Sequence, residues 1–209
     1  MSATRDANEF IPTRQTLLSR LKDWNDHDSW KDFFDTYWKL IYSTAIKSGL
    51  TDAEAQEVVQ ETILSVSKAM PGFQYDPALG SFKTWLMRLT RWRIADQLRK
   101  RKPGGLSGPR LETARTDIIE RIPDPAAPFP DQLWDEDWEK NIMDTAIERV
   151  KARVDPKQYQ IFDLYVLQNW PVKKITNLLK VHAGWVYLVK HRIAASIKKE
   201  IRRLRTKMP

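Results

Sequence analysis

Apolar residues recur at steps of three and four between Trp30 and Ile46, which is the spacing of one face of an α-helix. The same spacing returns between Ala55 and Met70 and in several segments after residue 131. No segment alternates apolar and polar residues as a half-buried strand does, and no internal repeat is present. The sequence therefore predicts an all-α fold.

Capping signals predict where some of these helices begin. Ser29 and Asp32 have capping-box spacing at the start of the first long helix, and Thr51 with Glu54 has it at the next. The dipeptide Asp155-Pro156 predicts a third start, because proline suits the first helical position.

Residues 103–131 differ in composition from the rest of the chain. Six of the 12 prolines and three of the 7 glycines lie between residues 103 and 130, which is typical of a flexible linker. The sequence thus predicts two small helical domains, residues 10–102 and 132–209, joined by a linker at residues 103–131.

The composition restricts the classes of function. The net charge of +8 indicates a polyanionic partner, either nucleic acid or an acidic membrane surface. The chain has no cysteine and its three histidines lack metal-ligand spacing, so neither a metal nor another cofactor is expected. The polar start and the lack of a long apolar run predict no signal peptide, no membrane insertion and a cytoplasmic location.

Tryptophan and arginine share one edge of the helix predicted for residues 80–100. At ~100° per residue, Trp85, Arg88, Trp92 and Arg99 fall within a strip about 60° wide. Guanidinium groups beside indoles bind phosphates and stack unpaired bases, which indicates single-stranded or locally opened nucleic acid. The alternative is that both tryptophans belong to the core and the arginines are solvated.

The acidic residues of the helix that follows Thr51 have both a functional and a structural interpretation. Glu54, Glu57 and Glu61 lie on one side of a helix, where they either dock a basic partner or form a solvated face.

Helix-turn-helix spacing in residues 171–205 predicts a helix that enters a major groove, although such helix pairs are common in proteins that never touch DNA. Ile175, Leu178 and Leu179 are expected to pack against the second helix of this pair. The basic run at its end adds phosphate contacts.

Together these features resemble the extracytoplasmic-function group of bacterial sigma-70-type factors. Residues 55–63 resemble the family's acidic helix, which binds the clamp helices of the largest RNA polymerase subunit. Residues 73–100 resemble the segment that melts and reads the −10 element, and residues 141–205 resemble the −35-reading domain. The resemblance implies a sigma factor without catalytic residues, whose partners are core RNA polymerase (clamp helices and flap), promoter DNA and an anti-sigma factor or other regulatory protein.

The resemblance also implies which residues make these contacts. The polymerase-binding residues would be Glu54, Glu57, Gln60 and Glu61. The −10 and single-strand residues would be Ser81, Phe82, Lys83, Trp85, Arg88, Arg91, Trp92, Arg93 and Arg99. The −35 and duplex residues would be Lys173, His182, Ala183, Trp185, Tyr187, Leu188, His191 and Arg192.

The C-terminal segment departs from the family pattern. Lys180 stands where the turn commonly has glycine, and His182 stands where the cap is commonly serine or threonine. Trp185, Tyr187 and Val189 replace polar and basic residues of the recognition helix. Because base readout by arginine is missing, we expect weak −35 binding and promoter choice mainly at the −10 element.

Two other classes of protein compete with the sigma factor interpretation. A stand-alone helix-turn-helix regulator explains the C-terminal segment but neither the tryptophan strip nor the acidic helix. An enzyme acting on nucleic acid would need a metal cluster, a glycine-rich phosphate loop or a convincing set of acids, and the sequence contains none of them.

Overall fold

The computed structural model describes residues 17–73, 81–101 and 131–207, which form eight α-helices and no strand. The all-α prediction is therefore confirmed. The helices are α1 (Leu17–Arg20), α2 (His27–Lys47), α3 (Asp52–Ala69), α4 (Phe82–Lys100), α5 (Asp131–Lys151), α6 (Pro156–Phe162), α7 (Val172–Leu179) and α8 (Ala183–Lys207). A 3₁₀ turn at Met70–Gly72 follows α3, and a π-helical turn at Asp163–Leu167 follows α6.

Side-chain caps set the starts of α2 and α3. The carboxylate of Asp26 accepts a hydrogen bond from the backbone nitrogen of Ser29 at 3.0 Å, so α2 begins before the predicted box of Ser29 and Asp32. The prediction that Ser29 caps the helix was wrong, because Asp26, three residues earlier in the chain, is the N-cap. The capping box of Thr51 and Glu54 is confirmed, with both of its hydrogen bonds present.

The first core lies where α2, α3 and α4 meet. The inner face of α4 carries Phe82, Leu86 and Leu89, which are all buried. Phe82 packs edge-on against Phe33 of α2, with ring centroids 6.2 Å apart. This packing fixes which edge of α4 remains accessible.

Helix α5 packs against α2 on one side and against α8 on another. Trp134 and Trp138 are buried, and the Trp138 ring stacks on Tyr37 of α2 at 5.2 Å. The side-chain amide of Asn141 donates a hydrogen bond to the backbone oxygen of Thr36 at 2.8 Å. Helix α5 therefore connects the N-terminal helices to the C-terminal ones.

The predicted division into two domains is not settled by these contacts. The linker predicted for residues 103–131 lies outside the described residues, except for Asp131, which is the first residue of α5. The division stays a prediction, but the helices on its two sides touch through α5.

The C-terminal helices enclose a second group of buried residues. Ile161, Ile175, Val186 and Ile193 are buried there, whereas Leu178 is 57% exposed. The prediction that Leu178 packs against α8 is therefore wrong, because the two-turn α7 buries only its stripe through Ile175. Among the described residues, no helix is both long enough and apolar enough to cross a membrane.

Candidate nucleic-acid interface

The two tryptophans of the predicted strip have different surroundings. Trp85 is half-buried in an aromatic cluster, with ring centroids 5.1 Å from Phe73 and 5.4 Å from Phe82. Trp92 is also half-buried, but the guanidinium carbon of Arg93 lies 4.4 Å from the centre of its ring. Trp85 thus fits the core interpretation better, whereas Trp92 forms part of a surface that carries positive charge.

Ser81 and Phe82 shape the beginning of α4. The Ser81 hydroxyl accepts a hydrogen bond from the backbone nitrogen of Thr84 at 3.3 Å and so caps the helix. Phe82 is fully buried. Both residues position the helix, and the adjoining residues 74–80 lie outside the described residues.

Acidic residues at the start of α5 lie against two basic residues of α4. The ammonium of Lys83 is 2.7 Å from a carboxylate oxygen of Asp135, and the guanidinium of Arg91 is 2.5 Å from one of Asp131. Arg91 is only 1% exposed. A DNA phosphate would have to displace these carboxylates to reach either cation.

The acidic side of α3 lies against the C-terminal end of α4. The Arg101 guanidinium holds the pKa of Glu54 at about 2, helped by the hydrogen bonds of the capping box. Lys100 donates a hydrogen bond to Glu57 at 2.8 Å and lowers the pKa of that carboxyl. Two predicted polymerase contacts thus already pair with basic residues of this chain.

Arg93 connects α3 to Trp92. Its Nη2 and Nε donate hydrogen bonds to the hydroxyl of Ser65 at 2.5 Å and 3.2 Å, and its Nη1 lies 3.4 Å from a carboxylate oxygen of Glu61. Burial lowers the pKa of Arg93, an effect that Glu61 opposes. The guanidinium is therefore held between α3 and the indole.

Arg88 and Arg99 are the remaining arginines of the predicted strip, and both are exposed. Arg99 pairs with Asp96 on the same helix at 2.9 Å. Arg88 forms no ion pair with any residue that the structure describes. It is therefore the cation of this edge that a phosphate can approach without competition.

An apolar groove between α2 and α3 was not recognised in the sequence. It encloses about 860 Å³, and Phe34, Trp38, Leu64 and Gln60 are among its lining residues. Phe34 is 42% exposed and Leu64 is 44% exposed. The signal was present, since the apolar stripe of α2 is wider than one buried face requires. Of the predicted polymerase contacts, Gln60 lies in this groove.

The predicted recognition helix presents apolar side chains to solvent. Tyr187 is 47% exposed and Leu188 is 46% exposed, while Ala183 and Trp185 are half-buried. Such groups can contact thymine methyls but donate few hydrogen bonds to guanine. The other predicted duplex contacts that are exposed are Lys173, His182, His191 and Arg192.

The turn before α8 accommodates the two departures from the family pattern. Lys180 adopts a left-handed conformation with φ of 52°, which costs a residue with a side chain about 1–2 kcal/mol. The Nδ1 atom of His182 accepts a hydrogen bond from the backbone nitrogen of Gly184 at 3.2 Å. His182 thereby caps α8 as serine or threonine would.

Comparison with known proteins bears on the part of the chain that holds the groove and the edge of α4. Residues 33–103 match the family model for sigma-70 region 2. The chain is also 27% identical over 108 residues to the ECF RNA polymerase sigma factor RpoE of Cereibacter sphaeroides. The similarity to sigma-70 region 2 thus covers residues 33–103, which hold the groove and the edge of α4. The aligned part is 50% of this chain, and it spans 59% of that relative's length.

Proposed function

We propose that this protein is a dissociable sigma subunit that binds core RNA polymerase and directs promoter recognition, DNA melting and transcription initiation. The observation that carries the proposal is that the region 2 match contains two separate surfaces. One is the apolar groove between α2 and α3, and the other is the edge of α4 with Trp92 and Arg88. A protein partner suits the first, and an opened DNA strand suits the second.

The groove is the proposed contact with the clamp helices of the polymerase. Exposed aromatic and aliphatic side chains in one patch are typical of an interaction surface. Gln60 supplies a polar group inside the groove, and Glu57 and Glu61 lie on the same helix. Their carboxylates suit a basic partner, which would compete with Lys100 for Glu57 and with Arg93 for Glu61. The hydrogen bonds from Arg93 to Ser65 do not depend on Glu61 and would remain.

The edge of α4 is the proposed contact with the melted −10 element. Extruding a base from duplex DNA costs a few kcal/mol. A base stacked on Trp92 contributes about 1–3 kcal/mol, and a phosphate on Arg88 adds to this. This protein is therefore expected to lower the cost of opening without catalysing a chemical step, as sigma factors act as non-enzymatic subunits.

The helix-turn-helix segment is the proposed contact with the −35 element and with the polymerase flap. The exposed Tyr187 and Leu188 support weak, phosphate-led binding or a protein contact, such as an anti-sigma factor. Because polymerase and chromosome lie in the cytoplasm, that is the proposed location. A stand-alone helix-turn-helix regulator is the second candidate. The exposed recognition helix favours it, but such a regulator would leave the groove unexplained.

Transcription in vitro tests the proposal. Fragmented genomic DNA is incubated with bacterial core polymerase, with this protein, or with both, and the 5′ ends of the RNA are sequenced. A sigma factor yields new transcripts that share an upstream motif only when both are present. A stand-alone regulator would protect duplex DNA by itself and would yield no such transcripts.

A further inference from the structure

We infer that Arg93 is a positioning residue, which acts on melted DNA through Trp92 and not through a phosphate of its own. The inference rests on the proposed function and deepens it. It also departs from the expectation that Arg93 lines the DNA strand. Three features of the guanidinium carry it, namely its hydrogen bonds, its burial and its place against the indole.

All three nitrogens of the Arg93 guanidinium are engaged by α3. Nε and Nη2 share the hydroxyl of Ser65, and Nη1 lies 3.4 Å from Glu61. The side chain is only 17% exposed. A phosphate would therefore have to replace partners from another helix and enter a largely closed site, whereas the exposed Arg88 is open to it.

The guanidinium covers part of the Trp92 ring. Its central carbon lies 4.4 Å from the ring centre, within the range of a cation–π contact. An indole at a surface can occupy several rotamers, and ordering it costs free energy when a base binds. Because Arg93 holds the ring beforehand, the stacking platform is ordered before DNA arrives.

Arg93 also ties this platform to the helix that bears the proposed polymerase contacts. Ser65 and Glu61 lie on α3, as does Gln60 in the apolar groove. Glu61 was expected to contact the polymerase, but in this structure its carboxylate pairs with Arg93. The helix that docks on polymerase therefore braces the residue that orients the indole.

A double-mutant cycle separates positioning from direct phosphate contact. Arg93→Met, Trp92→Ala and the double mutant are compared in holoenzyme, by the permanganate reactivity of a promoter recovered from the transcription experiment. Arg93→Met should slow opening about 2- to 5-fold, the equivalent of one surface cation–π contact. In the Trp92→Ala background it should cause no further loss.

The salt dependence provides a second readout on a defined probe. Binding of each variant to a fluorescein-labelled oligodeoxythymidylate is measured over a range of salt concentrations. Arg93→Met should weaken binding and leave the salt slope unchanged. The matched control Arg88→Met should reduce the slope by about 0.7, the value for one phosphate contact on a single strand. In the double mutant with Trp92→Ala, the two reductions in affinity should multiply.

Arg93→Lys separates charge from geometry, because it keeps the charge but lacks the planar group that stacks and bridges Ser65. It should behave like Arg93→Met. Circular dichroism of each variant checks that the helices remain. The inference is overturned if lysine restores wild-type opening, if the Arg93 and Trp92 losses multiply, or if Arg93→Met lowers the salt slope. It is also overturned if Trp92→Ala binds the oligonucleotide as well as wild type. Failure of the proposed function is distinct, since it would appear as missing transcripts while the oligonucleotide cycle still reports on Arg93.

Discussion

The edge of α4 and the recognition segment of α8 are both proposed to bind DNA, but their charges are arranged differently. On α4 and at its C-cap, nearly every basic side chain has an acidic partner within the described residues. These side chains are Lys83, Arg91, Arg93, Arg99, Lys100 and the C-cap residue Arg101. On α8, Lys190 lies over the Tyr165 ring at 5.3 Å. His191 and Arg192 have no acidic partner among the described residues.

This difference indicates that the two surfaces meet DNA under different conditions. At α4, phosphates compete with carboxylates of α3 and α5, so the surface is largely neutralised in the free protein. At the recognition segment no such competition exists within the described residues. We therefore expect the free protein to bind duplex DNA weakly through α8, and α4 to engage DNA once a single strand is available.

Charge reversal on α3 should have the largest effect. Replacing Glu57 and Glu61 by lysine places like charges against the proposed basic clamp helices, which costs several kcal/mol and should reduce core polymerase binding at least about 100-fold. Binding is measured by pull-down, and circular dichroism checks that the helices remain.

The matched control reverses two exposed glutamates of α5, Glu139 and Glu148, which also pair with basic residues. The control should bind polymerase normally. Wild-type affinity in the α3 double mutant would contradict the proposed polymerase surface.

Removal of an α5 tryptophan should have the next largest effect. Trp134 is 1% exposed, so Trp134→Ala should lower the free energy of unfolding by about 3–5 kcal/mol. Urea denaturation measures the change. Leu133→Ala on the same helix, where the side chain is 41% exposed, should cost less than about 1 kcal/mol. Equal costs would show that α5 is not anchored through Trp134.

Promoter scrambling tests whether the recognition segment reads bases. Scrambling the −35 sequence should reduce transcription less than scrambling an equal number of bases in the −10 element. The reason is that Tyr187 and Leu188 offer few donors to guanine. Run-off transcription from the two templates gives the comparison. A larger loss from the −35 scramble would show that α8 reads bases directly.

Neutralising one α5 carboxylate should have the smallest effect of these changes. Asp135→Asn removes the partner of Lys83, and since a partly exposed ion pair is worth ~0–1 kcal/mol, binding to single-stranded DNA should tighten by no more than a few-fold. Fluorescence anisotropy measures it. Asp144→Asn removes a charge from the same helix away from α4 and should change the affinity little. If both changes tightened binding equally, net charge alone would explain the effect, and pairing of the α4 cations would not distinguish α4 from α8.

Local signals were the part of the fold that the sequence predicted well. The period of the apolar residues identified the long helices, and the box at Thr51 and the dipeptide Asp155-Pro156 located two starts correctly. These features depend on neighbours within a few residues. The apolar stripe of α2 is wider than the face that is buried, because Phe34 and Ile46 are exposed. Periodicity does not show how much of a stripe the neighbouring helices cover.

Long-range pairing was the part that the sequence could not predict. Lys100 and Glu57 are separated by 43 residues, and nothing local indicates that they meet. The same holds for Arg149 of α5, which contacts both Asp32 of α2 and Glu200 of α8. Spacing predicts which charged residues share a face of one helix. Which faces of different helices pack together depends on the tertiary structure.

Permanganate footprinting of a promoter detects unpaired thymines in the −10 region and so reports DNA melting itself. Reactivity is expected only when this protein and core polymerase are both present. Trp92→Ala is expected to weaken opening by the roughly 1–3 kcal/mol of one stacking contact, with little effect on a premelted template. No reactivity with both proteins would contradict the proposed role in promoter melting. An equal loss on both templates together with a lower melting temperature would show that Trp92 serves the core.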